Sequence, residues 1–274
     1  MKKQIFFLSS MLFSLLLGLS FAGDFRNRVS SFKSDYSNLA DIETEIKFGR
    51  DLAARILGNY HILENDKINY YINLIGKAVS LHGRRAEIRY YFAVLDTNEI
   101  NAFAVPGGYV FITKGLLKEI ENEAQLAAVL GHEIAHIESR HVIKELKIRG
   151  DKNSAASGLA ALIGGSTGSF KGAFTQMLDN AADILFKRGY LIKDEIEADR
   201  LGILMASVAG YDPSALKILL NKVKHFESGS KAQASDHPFY NVRIDEINNT
   251  LKANGLWGLT SALVKERYHE NINL

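Results

Sequence analysis

Apolar residues recur at helical spacing along most of this chain and alternate in one short stretch only. Asp41 to Leu57, closed by Gly58, and Asp66 to His82, opened by Asn65 and closed by Gly83, carry them three and four apart, as helices do that pack one face on a core. Arg89 to Leu95 then alternates and is rich in Tyr, Phe and Val. Asn101 to Val105 is short and apolar, and Tyr109 to Thr113 follows Pro106-Gly107-Gly108, so this part predicts strands with a hairpin. Asn122 to Arg149 contains no proline; Asn122 with Gln125 resembles a capping box and Gly150 is a stop signal, which predicts one long helix. Leu126, Val129, Leu130, Ile134 and Ile137 make that helix a central, buried one. Further helices are expected around Asp194 to Gly210, from Pro213 to about Phe226, and from Tyr240 to Leu251. Residues 154–186 are apolar but interrupted by Gly158, Gly164, Gly165, Gly168 and Gly172. With Lys171 among them, a bilayer span is disfavoured and a flap or plug beside a cleft is expected. The fold class is α+β, mostly helical, with a small sheet just upstream of the central helix and a single domain over residues 23–274.

The central helix carries the chemistry. His132 and His136 are four residues apart, so they sit about 40° from each other on one face and both rings can reach one metal ion. Glu133, roughly 100° round, can hold and deprotonate a water on that metal. Ala128, Gly131, Ala135 and Ser139 flank the histidines, so another element can come close. A catalytic zinc site takes three protein ligands and keeps one position open, so a third ligand is needed. A histidine ten positions after His132 would serve, but that residue is Val142; His141 misses by one and, on a continuous helix, faces about 140° away from His136. The segment Asp194-Glu195-Ile196-Glu197-Ala198-Asp199 is the better source. On a helical wheel Glu195, Ala198, Asp199, Gly202, Ala206 and Ala209 share one face, two carboxylates in a groove of small residues, while Glu197 points roughly the opposite way. Glu195 is therefore the expected third ligand. Asp199, one turn on, is the expected acceptor for a ligand histidine N–H.

With these residues in hand, the chain resembles the M48 family of zinc metallopeptidases, and within it the soluble branch of the bacterial envelope. The resemblance rests on His132-Glu133-Ile134-Ala135-His136 continued by Ser139-Arg140-His141, on Glu195-Ile196-Glu197-Ala198-Asp199, on Asn101-Ala102-Phe103-Ala104-Val105-Pro106-Gly107-Gly108, and on His237-Pro238 followed by Arg243. It implies a zincin-like domain with one zinc ion (Zn2+) per chain on His132, His136 and Glu195, and Glu133 as base. It implies that Asn101 and Ala102, on an edge strand, contact the substrate backbone, since an edge binds an extended chain through its main chain. It also makes His237 and Arg243 candidates to face the metal. Either they stabilise the charge of the tetrahedral intermediate, or neutral His237 occupies the open metal position and keeps the enzyme latent. Tyr190 and Tyr240 are further candidate donors to an oxyanion. The implied substrates are misfolded or misassembled envelope proteins, especially those bound for the outer membrane, with the outer-membrane assembly machinery as an implied associate.

The N-terminus bears on compartment. Lys2-Lys3, an apolar run from Ile5 to Leu19, then Ser20-Phe21-Ala22 form the series of a secretory signal, with cleavage expected after Ala22 and a periplasmic product. Left uncleaved, the run would anchor the chain, being near the lower limit for spanning a bilayer. Removing Lys2 and Lys3 takes the formal charge of +2 to zero, which argues against nucleic acid as partner and leaves membrane contact peripheral or absent. The chain has no cysteine, so neither disulfides nor thiolate ligands compete with the histidines. Two rival readings stand beside the peptidase: a non-cleaving periplasmic chaperone on the same fold, which has no need of Glu133, and a membrane-embedded metalloprotease, against which the single apolar run counts.

Overall fold

The computed structural model describes residues 39–146, 168–227 and 239–274. Two helices, α1 (Leu39–Leu57) and α2 (Asp66–Ser80), precede a three-stranded sheet of β1 (Tyr91–Leu95), β2 (Ala102–Val105) and β3 (Tyr109–Thr113). Short α3 (Lys114–Glu119) leads into the central helix α4 (Glu123–Glu138), which is followed by α5 (His141–Glu145), α6 (Gly168–Asp183) and a π-helical turn (Ile184–Arg188). The chain then forms α7 (Ile192–Val208), α8 (Ala215–Glu227), α9 (Tyr240–Ala253) and α10 (Lys265–Asn271). This is an α+β fold dominated by helices, as the periodicity predicts. None of the described helices is long and apolar enough to cross a membrane.

The local signals act as expected. Asn65 caps α2 by accepting from the Ile68 amide, and Asn122 caps α4 by accepting from the Gln125 amide, each satisfying an N–H that the first helical turn leaves open. β2 and β3 pair antiparallel with Val105 opposite Tyr109, so Pro106, Gly107 and Gly108 form the turn; Gly107 and Gly108 both have positive φ, 77° and 103°. β1 lies parallel to β3 on its other side, giving the order β1-β3-β2 with β2 at the edge. Of residues 154–186, those from 168 on are helical: Phe174, Met177 and Leu178 pack against a core of Phe48, Leu52 and Phe103, while residues 154–167 lie outside the described residues.

One expectation is corrected. The central helix does not continue to Arg149 but ends at Glu138, with Ser139 as its C-cap and Arg140 at φ 55°, before α5 restarts the helical path. Arginine carries no intrinsic preference for the left-handed region, so the break is imposed from outside. Arg140 Nε lies 2.9 Å from Glu45 Oε2 on α1, and Ser139 Oγ donates to Glu197 Oε1 on α7 at 2.9 Å.

α4 packs most closely on α7, and two glycines set the distance. A Cβ at Gly202 would stand 2.5 Å from the His132 amide nitrogen and 2.7 Å from the Gly131 carbonyl carbon; one at Gly131 would stand 2.7 Å from the Gly202 carbonyl oxygen. Backbone cannot swing aside as a side chain can, so Gly202→Ala must push the helices apart. It is expected to cost about 1–3 kcal/mol, as overpacking does. A melting temperature equal to the parent's would contradict this account. At the other end of α4, the buried carboxylate of Glu123 accepts from Tyr71 (2.5 Å) on α2, from Tyr211 (2.7 Å), and from Arg267 Nε (2.6 Å) on α10. Burial opposes the charge of Glu123, yet the hydrogen bonds from Arg267, Tyr71 and Tyr211 outweigh it and hold the carboxyl below its ordinary value.

Candidate metal centre

α4 and α7, brought to backbone contact by their glycines, set three side chains around one point. His132 Nε2 and His136 Nε2 are 3.0 Å apart; Glu195 Oε2 is 3.6 Å from the first and Glu195 Oε1 is 3.5 Å from the second. A tetrahedral metal with bonds of about 2.0–2.1 Å separates its ligand atoms by roughly 3.3 Å, so the donor set fits one. All three side chains are buried, and their ligand atoms lie together within 4.8 Å. Glu133, also buried, is beside His132 on a small cavity that Asn101, Ala102, Val129, Leu220, Tyr240 and Arg243 help to line. That cavity holds about 60 Å³, room for a few waters or one apolar side chain. β2, whose Ala102 reaches this cavity, is one of the two edge strands of the sheet.

The carboxylates on α7 divide their work. Asp199 Oδ1 stands 2.9 Å from His132 Nδ1, on the side of the ring away from the other ligands. Arg243 of α9 reaches Asp199 through Nε at 2.8 Å and Nη2 at 2.6 Å, and Glu195 Oε2 through Nη1 at 2.7 Å. Burial alone would raise the Asp199 pKa, but Arg243 and the His132 ring outweigh it and hold the group at about 2. The same two carboxylates push the fully buried guanidinium further up from its ordinary range, against the pull of burial.

His136 is gripped differently. Tyr190 stacks on its ring with centroids 4.0 Å apart and planes 22° from parallel; the residue is delivered there by the π-helical turn and by Gly189 at φ 67°. Such turns relieve an inserted residue and recur beside functional sites. On the other side of His136, its Nδ1 meets His141 Nδ1 at 2.8 Å. The expectation that His141 faces away is thus corrected, because the break at Arg140 turns it back. Glu197 lies outside the three-ligand cluster and instead approaches His141 Nε2 at 3.5 Å; the His141 ring beside it and then the hydrogen bond from Ser139 draw its pKa down to about 2 despite burial.

His132, Glu133, His136, Glu195, Asp199, Arg243, Asn101 and Ala102 are therefore brought together around one cleft, and Tyr240 lines it too. His237 lies outside the described residues. Sequence reasoning missed the stacking role of Tyr190, the clamp of Arg243 on Glu195 and the place of His141. For the last, Ser139-Arg140-His141 was the available signal, but nothing in it announces a helix break.

The model of peptidase family M48 matches residues 67–251. The chain belongs to that family. The matched span runs from α2 to α9, so the M48 domain includes every described residue of the centre. Among curated proteins, the chain is similar to the beta-barrel assembly-enhancing protease of Escherichia coli K12, 27% identical over 232 residues. That match covers 76% of this chain and 44% of the relative, so the M48 chain spans under half of that protein. It is 31% identical over 201 residues to the mitochondrial metalloendopeptidase OMA1 of Schizosaccharomyces pombe, covering 72% of this chain and 56% of that one. To the metalloprotease LoiP of Escherichia coli K12 it is 26% identical over 178 residues, covering 65% of this chain and 67% of the relative.

Proposed function

We propose that this chain is an exported, zinc-dependent endopeptidase of the bacterial cell envelope, working in the periplasm on misfolded or misassembled proteins, those bound for the outer membrane among them. The observation that carries the reading is the convergence of buried His132, His136 and Glu195, with Glu133 beside them on a cavity that Ala102 of an edge strand helps to line. His132, His136 and Glu195 would hold the zinc, which when bound would supply a water acidified towards a pKa of about 7 and a Lewis acid for the scissile carbonyl. Glu133 takes the water's proton and delivers it to the leaving amine. Asn101 and Ala102 hold an extended substrate backbone along β2, and the apolar wall of Val129, Leu216 and Leu220 receives one of its side chains. Asp199 fixes the proton of His132 on Nδ1, and Arg243 keeps Glu195 and Asp199 in place. On the family resemblance alone, His237 would act as a donor to the developing oxyanion or as a latch on the open metal position. The substrate class draws support from the similarity to a protease named for beta-barrel assembly.

Zinc removal tests the proposal. Purified protein is expected to contain one zinc per chain, to cut casein, to lose both metal and activity on treatment with a strong chelator, and to recover both when zinc is returned. Protein that holds zinc yet leaves casein whole would reject the peptidase and favour a client-holding chaperone.

A further inference from the structure

His141 is fully buried and stands between the metal centre and two more carboxylates. Its Nδ1 faces His136 Nδ1 at 2.8 Å, while Nε2, across the ring, lies 3.5 Å from Glu197 Oε2 and 3.7 Å from Asp194 Oδ1. Two ring nitrogens at such a distance share one proton, so one must donate and the other accept. His136 turns Nε2 towards His132 and Glu195, and a nitrogen that binds a metal there must offer its lone pair. The His136 proton is then on Nδ1. His141 Nδ1 must accept it, which leaves the proton of a neutral His141 on Nε2, directed between Glu197 and Asp194. Glu197 is held for this by Ser139, whose hydroxyl donates to its other oxygen at 2.9 Å. Each proton along the line has one place.

The same geometry weighs against a different use of these groups. His141, Asp194 and Glu197 could hold a cation, their ligand atoms lying within 4.8 Å of one another. A cation on His141 Nε2 would drive that proton to Nδ1 and make His141 a donor towards His136. His136 would then have to accept on Nδ1 and carry its proton on Nε2, where its metal belongs. One proton thus sets the two sites against each other.

We propose that His141 is a positioning residue: it accepts the His136 Nδ1–H, keeps its own Nε2–H towards Glu197 and Asp194, and so locks His136 in its metal-binding tautomer. The proposal rests on His132, His136 and Glu195 being the metal centre. Asp199 does for His132 with a carboxylate what His141, backed by two carboxylates, does for His136, so both ligand rings are oriented from behind. Such outer partners contribute tenfold to a hundredfold in metal affinity.

The test combines affinity with spectroscopy. His141→Phe keeps a ring and removes both nitrogens, and its zinc affinity, read by chelator competition, is expected to fall about 10- to 100-fold. His141→Asn, which returns an acceptor near the Nδ1 position, is expected to recover most of that loss. A purely space-filling role would rank the two variants the other way. In nitrogen-15 spectra of histidine-labelled, zinc-loaded parent protein, His136 should carry its proton on Nδ1 and His141 on Nε2. Phe and Asn variants that both bind zinc as the parent does, or a His141 protonated on Nδ1, would overturn the proposal. So would a second bound zinc that Glu197→Gln removes. If His141→Phe does not fold, the parent's spectra still decide. A parent that binds no zinc at all would instead reject the metal centre itself, so the two failures are distinct.

Discussion

Glu133→Gln is expected to bind zinc as the parent does and to cleave casein at least about a hundredfold more slowly, the scale of general acid–base catalysis. Glutamine keeps the size of the side chain and an oxygen able to orient water, but its amide cannot accept the water's proton. Glu133 is not among the three converging ligands, and its place on the cavity wall beside Asn101 and Ala102 puts it where a substrate carbonyl would enter. The loss should therefore appear in kcat, with KM near the parent's, because the proposed pairing of an extended backbone with β2 does not involve Glu133. Zinc analysis of the same preparation separates this from damage to the site. A variant that retains zinc and full activity would remove Glu133 from the mechanism.

Arg243→Ala is expected to lower stability by about 3–5 kcal/mol, the cost of taking one partner from a buried ion pair. The guanidinium is buried and its three nitrogens meet Asp199 twice and Glu195 once, so truncation leaves two buried carboxylates without their common cation. The loss should be larger without metal than with it, since a bound dication returns positive charge beside Glu195. Melting the variant and the parent with and without zinc checks this: the metal should raise the melting temperature more in the variant. Equal zinc-induced shifts would show that Arg243 does not compensate the charge of the ligand set. A lysine at 243 should restore only part of the stability, because a single ammonium cannot reproduce the fork that grips both carboxylates.

The candidate metal centre was legible in the sequence to the extent that it depends on helical periodicity. His132 and His136 lie on one regular helix, Glu195 and Asp199 on another, and the small residues between them announce a close approach; the structure places all four as the wheels do. The hairpin was legible because Gly107 and Gly108 are needed at positive φ. Where tertiary contacts overrule local preference, periodicity gives no warning. Arg140 takes a left-handed conformation with its side chain against Glu45, far away in the chain, and at that one residue the path of His141 changes. Tyr190 reaches His136 through a π-helical turn whose residues, Ile184 to Arg188, look like ordinary helix. Arg243 was found by its motif, yet its bonds to Glu195 and Asp199 depend on how α9 crosses α7, which no local pattern encodes.

The carboxylate of Glu123 has a consequence in time as well as in space. The first turn of the helix that carries His132 and His136 is fastened by Arg267, 144 residues further along the chain. Contacts so remote in sequence form late, after the ends they join have both been made and brought together. A chain not yet made as far as residue 267 therefore has the histidines but lacks this fastening of their helix. The helix that carries the candidate metal centre thus gains this tie only once α10 has joined the fold.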